Sequence, residues 1–287
     1  MLKQRVVTAV VLLAVLLGAL LVPSPWPLIL LLTLAAVCGL WEWLRLTWPH
    51  QNSAWPLILA VLSGAGMLVL ASQWLASSPA DWAMQMQAVL NQQLLPIVAL
   101  MWVVFATVLV FQGQAQRRTG AWWLSLFGIA AILAVWLSLT QMFVQRGAWF
   151  LVSLMALIWF ADIAAYFTGK AFGRHKLAPR VSPGKTWEGA MGGVLAATAW
   201  VLLSAYWPGS FGDVLVQRWP WWIVALIAIF LAALSIIGDL FESLLKRRAG
   251  VKDSSQLLPG HGGVYDRIDA LLPVAPIALL ITGVWNP

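Results

Sequence analysis

Residues 121–170 read AWWLSLFGIAAILAVWLSLTQMFVQRGAWFLVSLMALIWFADIAAYFTGK. Two apolar runs, 121–143 and 148–170, flank a short break around Arg146. Each is long enough to cross a hydrocarbon core of roughly 30 Å, which takes about 20 helical residues. Neither alternates in short segments, as the strands of a membrane barrel would. Working outward, comparable runs occur at 5–22, 27–46, 55–75, 93–112, 187–206, 220–240 and 268–285. With 62% hydrophobic and 9% charged residues, a chain of 287 residues is not one or two soluble domains. The expected fold is an all-α polytopic integral membrane protein with nine transmembrane helices.

The N-terminus, MLKQRVVTAVVLLAVLLGALLVP, has the basic start and apolar run of a signal peptide. No small-x-small cleavage site follows, and Pro23-Ser24-Pro25 leads straight into the next run, so it reads as an uncleaved first helix. The single cysteine, Cys38, lies inside a predicted span and reads as a small packing residue.

The net charge is +7, and its distribution sets the topology. Lys3, Arg5, Arg45, Arg117, Arg118, Lys170, Arg174, Lys176, Arg180, Lys185, Lys246, Arg247, Arg248, Lys252 and Arg267 fall at alternate ends of the spans. Only Arg146 and Arg218 fall on the other side. The positive-inside rule therefore predicts a cytoplasmic N-terminus, an external C-terminus and cytoplasmic basic loops. His50, His175 and His261 lie on the cytoplasmic side as well. No soluble basic domain or aromatic-interleaved platform supports nucleic-acid binding. Anionic headgroups and phosphorylated substrates account better for the basic balance.

Residues 1–145 read as scaffold. Trp41, Trp43, Trp48, Trp122, Trp123, Trp221 and Trp222 sit near span ends, as interfacial anchors do. Glu42, between two of them, reads as an internal ion pair or a snorkelling carboxylate. Residues 146–287 have a different character: polar residues enter the spans, and the loops 170–186 and 241–267 are rich in Gly, Pro and Lys. The two regions form one integrated membrane domain without internal repeats.

Chemistry is expected in the second region. Asp162 lies in a span roughly two turns from its cytoplasmic end; a carboxylate there is costly and should pair with a cation or metal. The segment GKAFGRHKLAPRVSPGKTWEG (169–189) carries Lys176, Ser182 and Lys185 among turn-forming residues that suit a phosphorylated headgroup. Ser182–Thr186 contains the tail of a P-loop, but the upstream glycine and strand are missing, so that motif fails. The Ser-Pro-Gly turn opening onto a helix offers backbone N–H groups for phosphate oxygens. An ordinary positive-inside loop would carry the same charge.

The richest stretch is SLLKRRAGVKDSSQLLPGHGGVYDRID (243–269), with five cations, three carboxylates and one histidine. Asp239, Ser243, Lys246 and Arg247 share one face if the preceding helix continues into the cytoplasm. Glu242 lies beside that face. Asp266 and Asp269 recur at i and i+3 and would share a face at the start of the last span. Three such carboxylates can hold a divalent cation, and Mg²⁺ takes one or two while leaving positions for water and phosphate. Between them, Pro259-Gly260-His261-Gly262-Gly263 must turn sharply and can bring backbone N–H groups to an anion. Lys246, Arg247, Lys252 and Arg267 supply cations for a triphosphate or a lipid phosphate.

At these residues the chain resembles the phosphatidate cytidylyltransferase (CDP-diacylglycerol synthase) family. Ser243, Lys246, Arg247, Lys252, Asp253, Ser255, Leu258, Pro259, His261, Gly262, Gly263, Asp266, Arg267 and Asp269 meet its signature without departure. The upstream stretch 175–189 also looks like that family's substrate loop. The resemblance covers roughly a third of the chain; the N-terminal half matches only as membrane helix. It implies transfer of CMP from CTP to phosphatidic acid, with release of pyrophosphate, at the inner (plasma) membrane of a bacterium. It further implies Mg²⁺, with K⁺ as a candidate second metal, and a homodimer whose polar cavity opens to the cytoplasm. By the same resemblance Asp239 and Asp266 are metal ligands, with Asp162 and Asp269 close by, and His261 is a phosphate or cytosine contact. The rival readings are a polyprenol-type lipid kinase, an ether-lipid cytidylyltransferase and a transporter of phosphorylated solutes. The transporter should show midplane polar residues in both halves, which the first half lacks.

Overall fold

The computed structural model describes residues 2–48, 53–115 and 121–283. His50, Arg117 and Arg118 lie outside the described residues. The chain is helical almost throughout: α1 (Leu2–Leu21), α2 (Trp26–Thr47), α3 (Trp55–Trp74) and α4 (Asp81–Gln112) precede a long α5 (Trp122–Phe172). A two-stranded hairpin follows, β1 (Lys176–Ala178) and β2 (Ser182–Thr186), and then α6 (Trp187–Ser204) and the short α7 (Phe211–Val216). The chain continues through α8 (Trp221–Ala249), α9 (Tyr265–Ile268) and α10 (Leu271–Thr282). Among the described residues, α2, α3, α4, α5 and α8 are long and apolar enough to cross a membrane, as an all-α membrane protein requires.

Local sequence explains where these helices break. Within α5, Gly147 has φ +81° and is non-helical, so the two apolar runs quoted above form separate helical halves. That backbone region favours glycine. In α4 the turns widen to π-type at Leu90–Leu94. Pro96 lies just beyond and cannot donate to the carbonyl four residues back, at Gln92. The last span does not begin as a continuous helix. It is interrupted at Asp269-Ala270, between α9 and α10. Pro273 accounts for this: it has no N–H for the Asp269 carbonyl, and its ring crowds that oxygen. Asp266 and Asp269 therefore do not follow one another along a single helix.

Two compact units emerge from the packing. One is drawn from Met1–Val98, Gln116–Thr140 and Leu245–Ile268, and the other from Ala99–Ala115, Gln141–Leu244 and Asp269–Pro287. In the first, α2 runs through the core. Trp43 is fully buried there rather than an interfacial anchor, because its indole N–H donates to the Leu124 carbonyl at 3.0 Å. Its ring lies against Tyr265, with centroids 5.1 Å apart. Trp122, Trp123, Trp221 and Trp222 are exposed, as anchors should be.

In the second unit, the later half of α5 packs tightly on α6. A Cβ at Gly189 or Gly193 would meet the carbonyl oxygens of Ala165 (2.9 Å) and Ala161 (2.7 Å). Small residues four apart let two backbones approach this closely. That contact places Asp162, next to Ala161, at the edge of a cavity floored by α6.

Candidate active site

In the second unit, a cavity of about 420 Å³ is lined by Asp162, Tyr166, Lys170, Lys185, Thr186 and Asp239, among others. The hairpin delivers Lys185. Strand β2 pairs antiparallel with β1, Lys176 opposite Thr186 and Ala178 opposite Ser182. The Ser-Pro-Gly segment is thus extended strand, and the reversal falls at Pro179–Val181, where the Val181 N–H reaches the Ala178 carbonyl at 3.1 Å. Pro183 is tolerated because this is a two-stranded ribbon with open edges. Thr186 caps α6, its Oγ1 accepting from the Gly189 N–H at 3.2 Å. Glu188, in the first turn of α6, holds His175 Nδ1 at 2.7 Å and accepts from the Arg174 and His175 N–H groups.

Lys185 Nζ lies 2.6 Å from Asp239 Oδ2, and both side chains are only partly exposed. Asp239, Glu242 and Asp269 each offer one carboxylate oxygen, and the three atoms lie within 4.8 Å of one another. Glu242 is buried. Three converging carboxylates repel one another unless a cation or protons intervene. This hard oxygen set suits Mg²⁺, which can complete its shell with water and phosphate. Helix α8 continues to Ala249, as the grouping of Asp239, Ser243, Lys246 and Arg247 requires.

The signature turn belongs to the first unit. Asp266 Oδ1 accepts from Lys246 Nζ at 2.7 Å. Its Oδ2 accepts from the N–H groups of Gly263 (2.7 Å) and Ser254 (3.1 Å), with Ser254 Oγ at 3.0 Å. The expected pairing of Asp239 with Asp266 rests on resemblance. Within the units, Asp239 is grouped with Glu242 and Asp269, and Asp266 with Lys246 and Ser254.

Glu42 is the residue that sequence reasoning undervalued. It is fully buried, from α2, and accepts from Ser254 Oγ (2.9 Å), Ser255 Oγ (2.5 Å) and the N–H groups of Val264 (3.0 Å) and Tyr265 (2.6 Å). These are neither the ion pair nor the snorkelling expected of it. Four donors from one distant loop satisfy the carboxylate in place of water. Its position between Trp41 and Trp43 was the only available signal.

Between these anchors the turn is tight. Leu258 and Gly262 bridge, with Leu258 N–H to Gly262 O at 2.9 Å, and Gly262 has φ +81°. Arg267 closes the turn by donating to the His261 carbonyl from Nε (3.1 Å) and Nη2 (2.5 Å). Lys252, Asp253, Ser255, His261, Gly262 and Arg267 line a polar hollow of about 740 Å³. His261 Nδ1 is buried and has no hydrogen-bond partner among the described residues, while the residue as a whole borders this hollow. Lys252, Asp253, Arg247 and Arg267 are exposed, Ser243 is half-buried on α8, and Lys176 projects from β1 as an exposed cation. A Cβ at Gly263 would collide with Ser254 Oγ and Glu42 Oε2. Gly263→Ala is therefore expected to cut turnover by about tenfold or more, because a sub-ångström shift of the turn misplaces bound groups. Steady-state rates beside a thermal unfolding curve check this, and unchanged rates would contradict it.

Residues 3–285 match the cytidylyltransferase family. The chain belongs to that family. It is 39% identical to the phosphatidate cytidylyltransferase of Pseudomonas aeruginosa over 299 aligned positions, covering 100% of this chain and 99% of the relative. It is 34% identical to the enzyme of the same name from Haemophilus influenzae, with 96% of each chain covered. For the Bacillus subtilis phosphatidate cytidylyltransferase the identity is 29%, over 99% of this chain and 98% of the relative. Family membership thus extends through the N-terminal half, where the sequence alone showed only membrane helix.

Proposed function

We propose that this protein is a phosphatidate cytidylyltransferase, which transfers CMP from CTP to phosphatidic acid to give CDP-diacylglycerol and pyrophosphate. The observation that carries this reading is the near full-length similarity to relatives of that name. The two clusters of charge around Asp239 and Asp266 support it.

In the proposed reaction a phosphate oxygen of the lipid attacks the α-phosphorus of CTP. A new P–O bond forms as the α–β bridging bond breaks, and pyrophosphate leaves with that electron pair. The nucleophile is already an anion, so no general base is needed. This agrees with the absence of a Ser-His-Asp or Cys-His arrangement in the sequence. What the protein must supply is alignment of two anions and compensation of their charge. Lys185, Lys246, Arg247, Lys252 and Arg267 provide cations, with Arg suited to bidentate contact. His261, which borders the polar hollow, would offer its imidazole to phosphate or base.

Bound Mg²⁺ would supply Lewis-acid stabilisation of the phosphoryl oxygens. Asp239, Glu242 and Asp269 would hold it, with Asp162 on the same cavity. Asp266 is proposed as a ligand on the resemblance; like Asp239, which meets Lys185, it meets an ammonium, that of Lys246. K⁺ is proposed as the second metal. Also part of the proposal are nine spans in a bacterial inner membrane, a cytoplasmic N-terminus and active site, and a homodimer. The alternating placement of basic residues supports the orientation.

The test uses protein purified in detergent with labelled CTP, phosphatidic acid and Mg²⁺. Labelled CDP-diacylglycerol and an equal amount of pyrophosphate are expected. Product only with polyprenol, or only with an ether lipid, would replace this reading with one of the related CTP-dependent enzymes. Solute flux across vesicles without nucleotide turnover would replace it with transport.

A further inference from the structure

Beside the polar cavity, the second unit carries an apolar groove that none of the phosphate chemistry uses. Its volume, about 830 Å³, falls in the range of roughly 300–1,000 Å³ common to small-molecule sites. The walls come from the end of α4, the hairpin turn, α6 and α8. Phe111, Met191, Leu195 and Phe230 present large exposed apolar side chains to it. Among its described lining residues the one charge is Arg180, at the hairpin turn, whose stem rests 3.9 Å from where a Gly113 Cβ would be.

Two features distinguish the groove from an ordinary lipid-facing helix surface. First, Leu177, Ala190 and Ile236 line both the groove and the cavity holding Asp162, Lys185 and Asp239, so the two spaces share a wall. Second, Arg180 supplies a cation to a mostly apolar lining. An apolar channel bordering a cavity that carries Lys170 and Lys185, beside carboxylates suited to a cation, matches the two ends of an anionic lipid. We propose that this groove holds an acyl chain of the lipid substrate, with Arg180 on the side of the phosphate, which then reaches the cavity of Lys185 and Asp239. The proposal rests on the reading of this protein as a lipid cytidylyltransferase.

Physical chemistry restricts what such a groove can do. The chain leaves a bilayer that is as apolar as the groove, so little transfer energy is gained. The benefit is orientation: a held chain fixes where its phosphate sits, and a fraction of an ångström matters to an in-line displacement. Blocking the groove should therefore penalise long-chain substrates and spare short ones that do not fill it.

Ala233 is exposed and lines the groove but not the polar cavity, so Ala233→Trp fills the groove without touching the phosphate residues. Leu226→Trp, at an exposed position of the same helix outside the groove, is the control. In mixed micelles, Ala233→Trp is expected to lower kcat/KM for dioleoyl phosphatidic acid by about tenfold, the scale of a misfit apolar pocket. The dioctanoyl substrate, the KM for CTP and the control should change little. Equal losses on both chain lengths, or no loss on either, would overturn the groove assignment while leaving the cytidylyltransferase reading intact. If the unmodified protein turned over no lipid, that reading would fail instead, and labelling would decide the groove. A phosphatidic acid with a photoreactive chain end should label the 187–195 and 230–240 segments, displaced by unlabelled phosphatidic acid more readily than by phosphatidylcholine. Equal displacement by both lipids would mean ordinary bilayer lipid, and no labelling would mean a covered face such as a contact with a second copy; either result defeats the proposal.

Discussion

Asp239→Asn is expected to remove at least about 99% of turnover while leaving the protein folded. A hundredfold loss corresponds to about 2.7 kcal/mol of transition-state stabilisation, within what a metal clamp on phosphoryl oxygens supplies. Asp239 meets Lys185 at 2.6 Å and shares an ion-sized space with Glu242 and Asp269, so it touches both charge systems of the cavity. Its side chain is 36% exposed and that of Lys185 26%, so water can solvate the lysine once the carboxylate is gone. A partly exposed ion pair contributes little to stability, which is why the fold should survive. Initial rates and the denaturation midpoint in detergent separate the two effects. Near-normal turnover would end the assignment of Asp239 to the metal.

For Glu42 the expected effect runs through stability first. Removing this carboxylate with Glu42→Ala takes the acceptor from the buried Tyr265 N–H, the part-buried Val264 N–H and the Ser255 hydroxyl, while Ser254 Oγ keeps Asp266 Oδ2. Each unsatisfied buried donor costs about 1–3 kcal/mol, and partial rescue by water brings the net to about 3–5 kcal/mol. The midpoint should fall by several degrees, and turnover should fall with it because the turn bearing His261 and Gly262 rests on these bonds. Glu42→Gln keeps the shape and one accepting oxygen, and should lose less. Ser255→Ala removes one donor and should lose least. A midpoint unchanged in Glu42→Ala would show that the loop is held by other contacts.

The carboxylate of Glu42 shows how far the sequence can be read for a membrane protein. Apolar length identifies helices because a bilayer leaves the backbone no other partner, so the spans through 121–170 were legible from local composition. The density of charge in 243–269 was legible for the same reason: ions at apolar helix ends are costly, and they stand out. Glu42 carries no comparable signal. Its partners lie more than 210 residues away in the chain, and a lone carboxylate near a span end is compatible with snorkelling, pairing or anchoring alike. Trp43 misled for a related reason. An indole suits an interface and a core equally well, and only the Leu124 carbonyl opposite its N–H decides between them.

The hairpin and the last helix divide along the same line. Lys176–Thr186 read as a basic loop because two short strands of mixed polarity have no periodicity to detect; pairing between them is a contact, not a composition. The break at Asp269 was in principle readable from Pro273, four residues on, yet the i, i+3 spacing of Asp266 and Asp269 suggested an unbroken helix.

By itself, then, the sequence determined that this is a helical membrane protein with one concentration of charged residues at apolar helix ends, since both follow from the cost of polar groups in an apolar chain. Tertiary structure alone decided the partners of those residues. It joined Glu42 to the signature turn, Lys185 to Asp239, and Asp239 to Glu242 and Asp269. Carboxylates and ammonium groups act over a few ångströms, and which of them come that close is set by how the helices pack rather than by their spacing along the chain.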